Sequence, residues 1–119
     1  MSMADRINYD NRCFVSVSNS DNGEVGPATV FHYRHEGDMV WATYRGGAIV
    51  FGSLIARVDV GDCLDMRYQH LNSAGELMTG KCWSTPEILP DGRLRLREAW
   101  EWTSGDLSRG ESVVEEIRH

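Results

Sequence analysis

Few side chains in this sequence are of a type that does chemistry, and their spacing narrows what that chemistry could be. Glu98 stands in the run from Arg93 to Trp102, where polarity alternates residue by residue. Leu94, Leu96, Trp100 and Trp102 share one side of an extended chain, and Arg93, Arg95, Arg97 and Glu101 share the other. Glu98 therefore falls on the apolar side, a charge among aromatic and aliphatic neighbours. A carboxylate placed there needs a partner: hydroxyls, an arginine near the end of the fold, or a ligand that donates to it. Burial also raises a carboxyl pKa toward the range useful for proton transfer, so Glu98 with His70 is the best acid–base pair on offer.

Other chemistries lack their residues. There is no Gly-x-Ser-x-Gly elbow, no phosphate-binding glycine loop and no His-Glu-x-x-His motif. Cys13, Cys63 and Cys82 are odd in number and show no Cys-x-x-Cys spacing, so they read as free thiols in a reducing compartment. His32 and His35, three apart on a strand, point to opposite faces, and no metal is expected. No cofactor is expected either, and a binding role is favoured over an enzymatic one.

The bulk properties agree. Lys and Arg (12) against Asp and Glu (18) give a net charge of −6 spread along 119 residues, a poor match for nucleic acid or an anionic membrane. No apolar run approaches the roughly 20 residues needed to cross a bilayer, and the start Met-Ser-Met-Ala-Asp-Arg lacks the apolar stretch of a signal peptide. A cytoplasmic protein of one domain, residues 1–119, is expected.

Helical periodicity is nearly absent, with a weak trace in the acidic C-terminus. Strand-forming runs recur at 12–18, 29–36, 39–44, 49–58, 63–72, 76–85, 93–102 and 112–117, divided by Gly, Asn, Asp and Pro. Connections this short join antiparallel neighbours, which predicts an all-β, eight-stranded up-and-down meander. Closing such a meander into a barrel removes its exposed edges and leaves a lumen for side chains or one small ligand.

Turn chemistry then sets the inward face. Gly37-Asp38 fits a two-residue turn, which puts Tyr33 opposite Ala42 and Phe31 opposite Tyr44. A three-residue turn at Ser73-Ala74-Gly75 puts His70 opposite Met78, Tyr68 opposite Gly80 and Met66 opposite Cys82; a four-residue loop would instead turn Thr79, Lys81 and Trp83 inward. The first register lines the lumen with Tyr33, Tyr44, Tyr68, His70, Cys82, Glu98, Trp100 and Trp102, rings with a few polar tips. A pocket for an apolar or aromatic small molecule is favoured over a solid core because Gly80 and Ala42 leave room and buried polar tips are costly. The alternative is an interaction protein, a homodimer or homotetramer, in which the outer arginine stripe meets acidic neighbours.

The order of Ala42-Thr43-Tyr44, the Gly52 strand and Arg95-Leu96-Arg97-Glu98-Ala99-Trp100-Glu101-Trp102-Thr103-Ser104-Gly105 resembles the avidin-like and lipocalin-like (calycin) barrels. It resembles more closely a group of small uncharacterised bacterial proteins with the patterns Asn-Gly-Glu-Val, Gly-Gly-x-Ile, Arg-Tyr-Gln-His and Glu-x-Trp-x-Trp-Thr-Ser-Gly-Asp. The likeness spans nearly the whole chain. It implies a ligand cup lined by Tyr44 and Trp100. The small hydroxyl and amide residues that surround a ureido group in avidin-like barrels have no equivalent in the sequence, and Glu98 adds a charge, so biotin is not expected. Some of the bacterial group carry the name acetylglutamate synthase; that activity needs a loop and helix N-terminus for coenzyme phosphates, which this chain lacks.

Overall fold

Strands with one apolar face each can bury those faces together by curling into a closed sheet. The computed structural model describes residues 6–118 and has this form. Its strands are β1 (Arg12–Asn19), β2 (Val30–Glu36), β3 (Met39–Gly46), β4 (Ile49–Val58), β5 (Leu64–Asn72), β6 (Leu77–Ile88), β7 (Leu94–Trp102) and β8 (Arg109–Glu116). Each pairs antiparallel with the next, and β1 pairs with β8 to complete the barrel. Among the described residues no helix is long and apolar enough to cross a membrane.

The turns act as their residues dictate. Gly37 opens its turn at a φ of 59° and Gly75 closes the β5–β6 turn at 81°, left-handed values that glycine adopts without strain. The three-residue register follows: His70 faces Met78, Tyr68 faces Gly80 and Met66 faces Cys82. Thr79, Lys81 and Trp83 accordingly lie outside. Arg67 does oppose Lys81, but each has an acid to hand, Asp65 at 2.8 Å and Glu101 at 3.8 Å.

Two boundaries differ from expectation by three residues. β6 continues past Thr85 through Pro86 to Ile88, paired with β7. Its ladder to β5 ends at Ser84, so beyond that point one edge of β6 is free and a proline without an N–H is tolerated. β8 begins at Arg109, not Ser112, because Arg109 and Gly110 pair with Glu101 and Trp100. The helical trace of the acidic C-terminus is overridden by pairing on both sides.

The lumen divides into two halves. Phe14, Val40, Leu64, Leu94, Leu96 and Val114 are fully or almost fully buried and fill the end where the β2–β3, β4–β5 and β6–β7 connections lie. The segment before β1 shuts that end: Tyr9 is buried, its hydroxyl donates to the Asp62 carbonyl, and Arg6 pairs with the Asp62 carboxylate at 2.9 Å. Burial holds the Tyr9 pKa above its ordinary value, so it remains a neutral donor. The aromatic, polar half lies toward the opposite end.

Leu96→Ala, which empties a site of 0% exposure, should lower stability by about 2–5 kcal/mol in urea unfolding. Ile88→Ala, at 64% exposure, should change it by less than about 0.5 kcal/mol.

Candidate functional site

The upper half of the lumen is shaped by one irregularity. Between Ser16 and Ser18 the β1–β8 register shifts by one residue, so alternation resets and Asn19 joins the inner wall. There its side-chain oxygen accepts from Trp100 Nε1 at 3.0 Å, and its amide donates to the Val25 carbonyl at 2.9 Å. Regular alternation would have placed Asn19 outside, and the sequence carries no separate sign of the bulge.

Three rings lie flat in this half because glycines face them. A Cβ at Gly52 would overlap the Tyr44 ring, one at Gly80 the Tyr68 ring, and one at Gly110 the Trp100 ring. Around a cavity of about 50 Å³ these meet the other expected residues. Tyr33, Tyr44, Tyr68 and His70 form one wall; Cys82, Glu98, Trp100 and Trp102 form the other. All eight side chains singled out from the sequence are thus brought to one cavity. Phe31, Leu54 and Met66 complete its apolar lining.

Glu98 resolves in favour of hydroxyls. Ser84 donates to one carboxylate oxygen at 2.7 Å and Ser112 to the other at 3.2 Å; no arginine reaches it. Burial raises its pKa, and the two serine hydrogen bonds oppose that rise. Burial likewise raises the pKa of Tyr33, Tyr44, Tyr68 and Cys82, so the cup presents neutral hydroxyls and a thiol rather than a reactive thiolate. Ser84, Ser112 and Asn19 bring small hydroxyl and amide groups to the cup. In this structure they serve Glu98 and Trp100.

His70 belongs to a different network. Its Nδ1 lies 2.8 Å from the Tyr44 hydroxyl and its Nε2 lies 2.8 Å from Glu24 Oε1. An ionised Glu24 accepts only, which puts a proton on Nε2. The Tyr44 hydroxyl also donates to the Gln69 carbonyl at 3.3 Å. No hydrogen bond joins His70 to Glu98, so the acid–base pair offered by the sequence is not assembled.

The mouth is covered by the β1–β2 connection, residues 20–29. Trp102 Nε1 donates to the Asn22 carbonyl at 3.0 Å, and Glu24 reaches both His70 and the Asn72 amide. Glu24, Asn19, Ser84 and Ser112 escaped the sequence reading. Ser84 had a signal there, since it alternates in phase with Gly80 and Cys82 on the same strand. Among the described residues no group of three or more His, Cys, Asp or Glu is arranged to hold a metal ion.

With this geometry in view, the family model described as Avidin-like protein matches residues 7–117. The chain belongs to the avidin-like family. A curated relative, the uncharacterized protein y4oW of Sinorhizobium fredii (strain NBRC 101917 / NGR234), is 33% identical over 75 residues. The match covers 62% of this chain and 34% of the relative, so the chain spans about a third of that protein's length. No solved structure matches the chain. The family membership accounts for the closed meander; Tyr44 and Trp100 both line the cavity inside it.

Because the folded chain holds the Glu98 proton more tightly than the unfolded chain does, folding takes up a proton above the ordinary carboxyl pKa, and stability falls as pH rises through that window. Glu98→Gln removes the slope. In urea unfolding the variant should gain on the wild type as pH is raised above 4.5; parallel curves would mean the two serines fully offset the desolvation.

Proposed function

We propose that the chain holds a small apolar or aromatic molecule in the upper half of the barrel, stacked on Trp100 and Tyr68, with Glu98 accepting from a donor group on it. The observation that carries this reading is the convergence of rings and one sequestered carboxylate on a single cavity whose far end is shut. A solid core would not need Glu98. Keeping a carboxylate there costs desolvation that an apolar residue of similar volume would avoid. Its two serine bonds leave lone pairs free for a ligand donor.

A second reading is favoured by the cavity itself, whose volume of about 50 Å³ is far below the ~300 Å³ of a typical ligand site. On that reading the rings fill the barrel and the outer face carries the role, in a homodimer or homotetramer. Ile55 and Trp83, 55% and 44% exposed on the outer wall, support it. The two readings part at the mouth. A lumen that binds must open by movement of residues 20–29, whereas a filled one has no reason to.

Titration with indole and tryptamine, followed by calorimetry and thermal shift, separates them. Saturable binding is expected, weakened about tenfold or more by Trp100→Ala, since a covering ring removes a large apolar area from water. Glu98→Gln should weaken tryptamine, a cation, more than indole. Absence of saturable binding by either probe, with a stable dimer or tetramer in light scattering, would replace the first reading by the second.

A further inference from the structure

The donors at the mouth are set in place independently of the group they bind. His70 sits on β5 with its side chain 1% exposed, its ring oriented by Tyr44 behind it. Asn72, two residues on and also buried, has its side-chain oxygen fixed by the backbone N–H groups of Ala74 and Glu76 at 3.1 and 2.9 Å. That aims its amide N–H2 into the mouth. Both donors are thus pre-oriented by the rigid sheet and by its tight turn.

One acceptor is local, since Asn72 Nδ2 also donates to Glu76 Oε1 at 3.0 Å; the acceptor that Asn72 shares with His70 arrives from elsewhere. Glu24 belongs to the 20–29 connection, which lies outside the ladder, and its carboxylate receives His70 Nε2 at 2.8 Å and Asn72 Nδ2 at 3.1 and 3.2 Å. Among the described residues no arginine or lysine pairs with it. Directly behind lies the aromatic cavity, which Glu24 itself helps to line. A rigid pair of donors, a carboxylate on a loop, and a ring-lined cavity beneath it together form a subsite occupied by a piece of the protein.

We propose that Glu24 is a tethered occupant of a carboxylate subsite formed by His70 and Asn72, and that the ligand is an aromatic monocarboxylate that displaces it. The incoming carboxylate takes over the same hydrogen bonds while its ring enters the cavity behind. Anion replaces anion, so the exchange buries no extra charge. Glu24 leaves with its loop, which enlarges the cavity from above. This deepens the binding reading given above and rests on it.

The test uses phenylacetate, phenylacetamide and indole as probes of the wild type, Glu24→Ala, and Glu24→Ala combined with His70→Gln, read by calorimetry. Phenylacetate should bind Glu24→Ala about tenfold or more tightly than it binds the wild type, the scale of a charge-assisted hydrogen-bond pair. Phenylacetamide, with the same shape and no charge, should gain less than about threefold, and His70→Gln should abolish the advantage of the acid. Equal gains for acid and amide, or no gain for either, would overturn the proposal. If indole binds throughout while the acid shows no preference, this inference fails and the lumen reading stands; if no probe binds any form, both fail. Should Glu24→Ala not fold, Glu24→Gln keeps the volume and one acceptor, and it must still raise phenylacetate affinity over the wild type; unchanged affinity would overturn the proposal.

Discussion

The backbone ladder between β1 and β8 uses hydrogen-bonding groups that would otherwise lie free on both edges of the meander, and in using them it limits the width of the lumen. Everything inside answers to that width. Half of the lumen is filled by aliphatic side chains and shut by Tyr9, which leaves the aromatic half as the part that can hold anything else. The same ladder carries the bulge at Ser16–Ser18, so the contact that closes the sheet also turns Asn19 toward Trp100. A regular β1 would leave the indole N–H of Trp100 without that acceptor.

The polar groups of the cup are arranged in two sets that do not touch. Deeper in, Glu98 accepts from Ser84 and Ser112; at the mouth, Tyr44 bonds to His70, and His70 and Asn72 separately meet Glu24. Each set satisfies itself, and no buried side-chain nitrogen or oxygen among the described residues lacks a partner. Complete pairing makes the closed form stable, with spare acceptor lone pairs at Glu98 and donors at the mouth that Glu24 occupies. A molecule fitting both would be amphipathic along the barrel axis.

How far this could be read from the sequence depended on whether local rules stayed local. The run from Leu94 to Trp102 alternates without interruption, so its inner face was legible residue by residue. Gly37 and Gly75 carry turn chemistry strong enough to set the register of their hairpins, and through it the meeting of Tyr68 with Gly80. Asn19 was hidden because a bulge inserts a residue with no marker of its own type. Glu24 was hidden for another reason: a loop side chain has no periodicity, and its approach to His70, 46 positions away, depends on how the closed barrel folds the loop back. Pro86 misled in the opposite direction, since a proline ends a central strand but not one whose neighbour has already stopped.

The pairing of rings with glycines has a consequence for how such a cup can diverge. Tyr68 occupies the space that a side chain at Gly80 would need, and Tyr44 and Trp100 stand in the same relation to Gly52 and Gly110. Neither member of a pair can change size by itself: enlarging the glycine ejects the ring, and shrinking the ring leaves a hole. Reshaping the lumen therefore proceeds by compensated exchanges across neighbouring strands, a bulky residue moving from one strand to the next while total volume is kept. Lineages of this barrel that hold different molecules should differ at both positions of a pair together, and a library built to retune the cup would need to randomise them as couples.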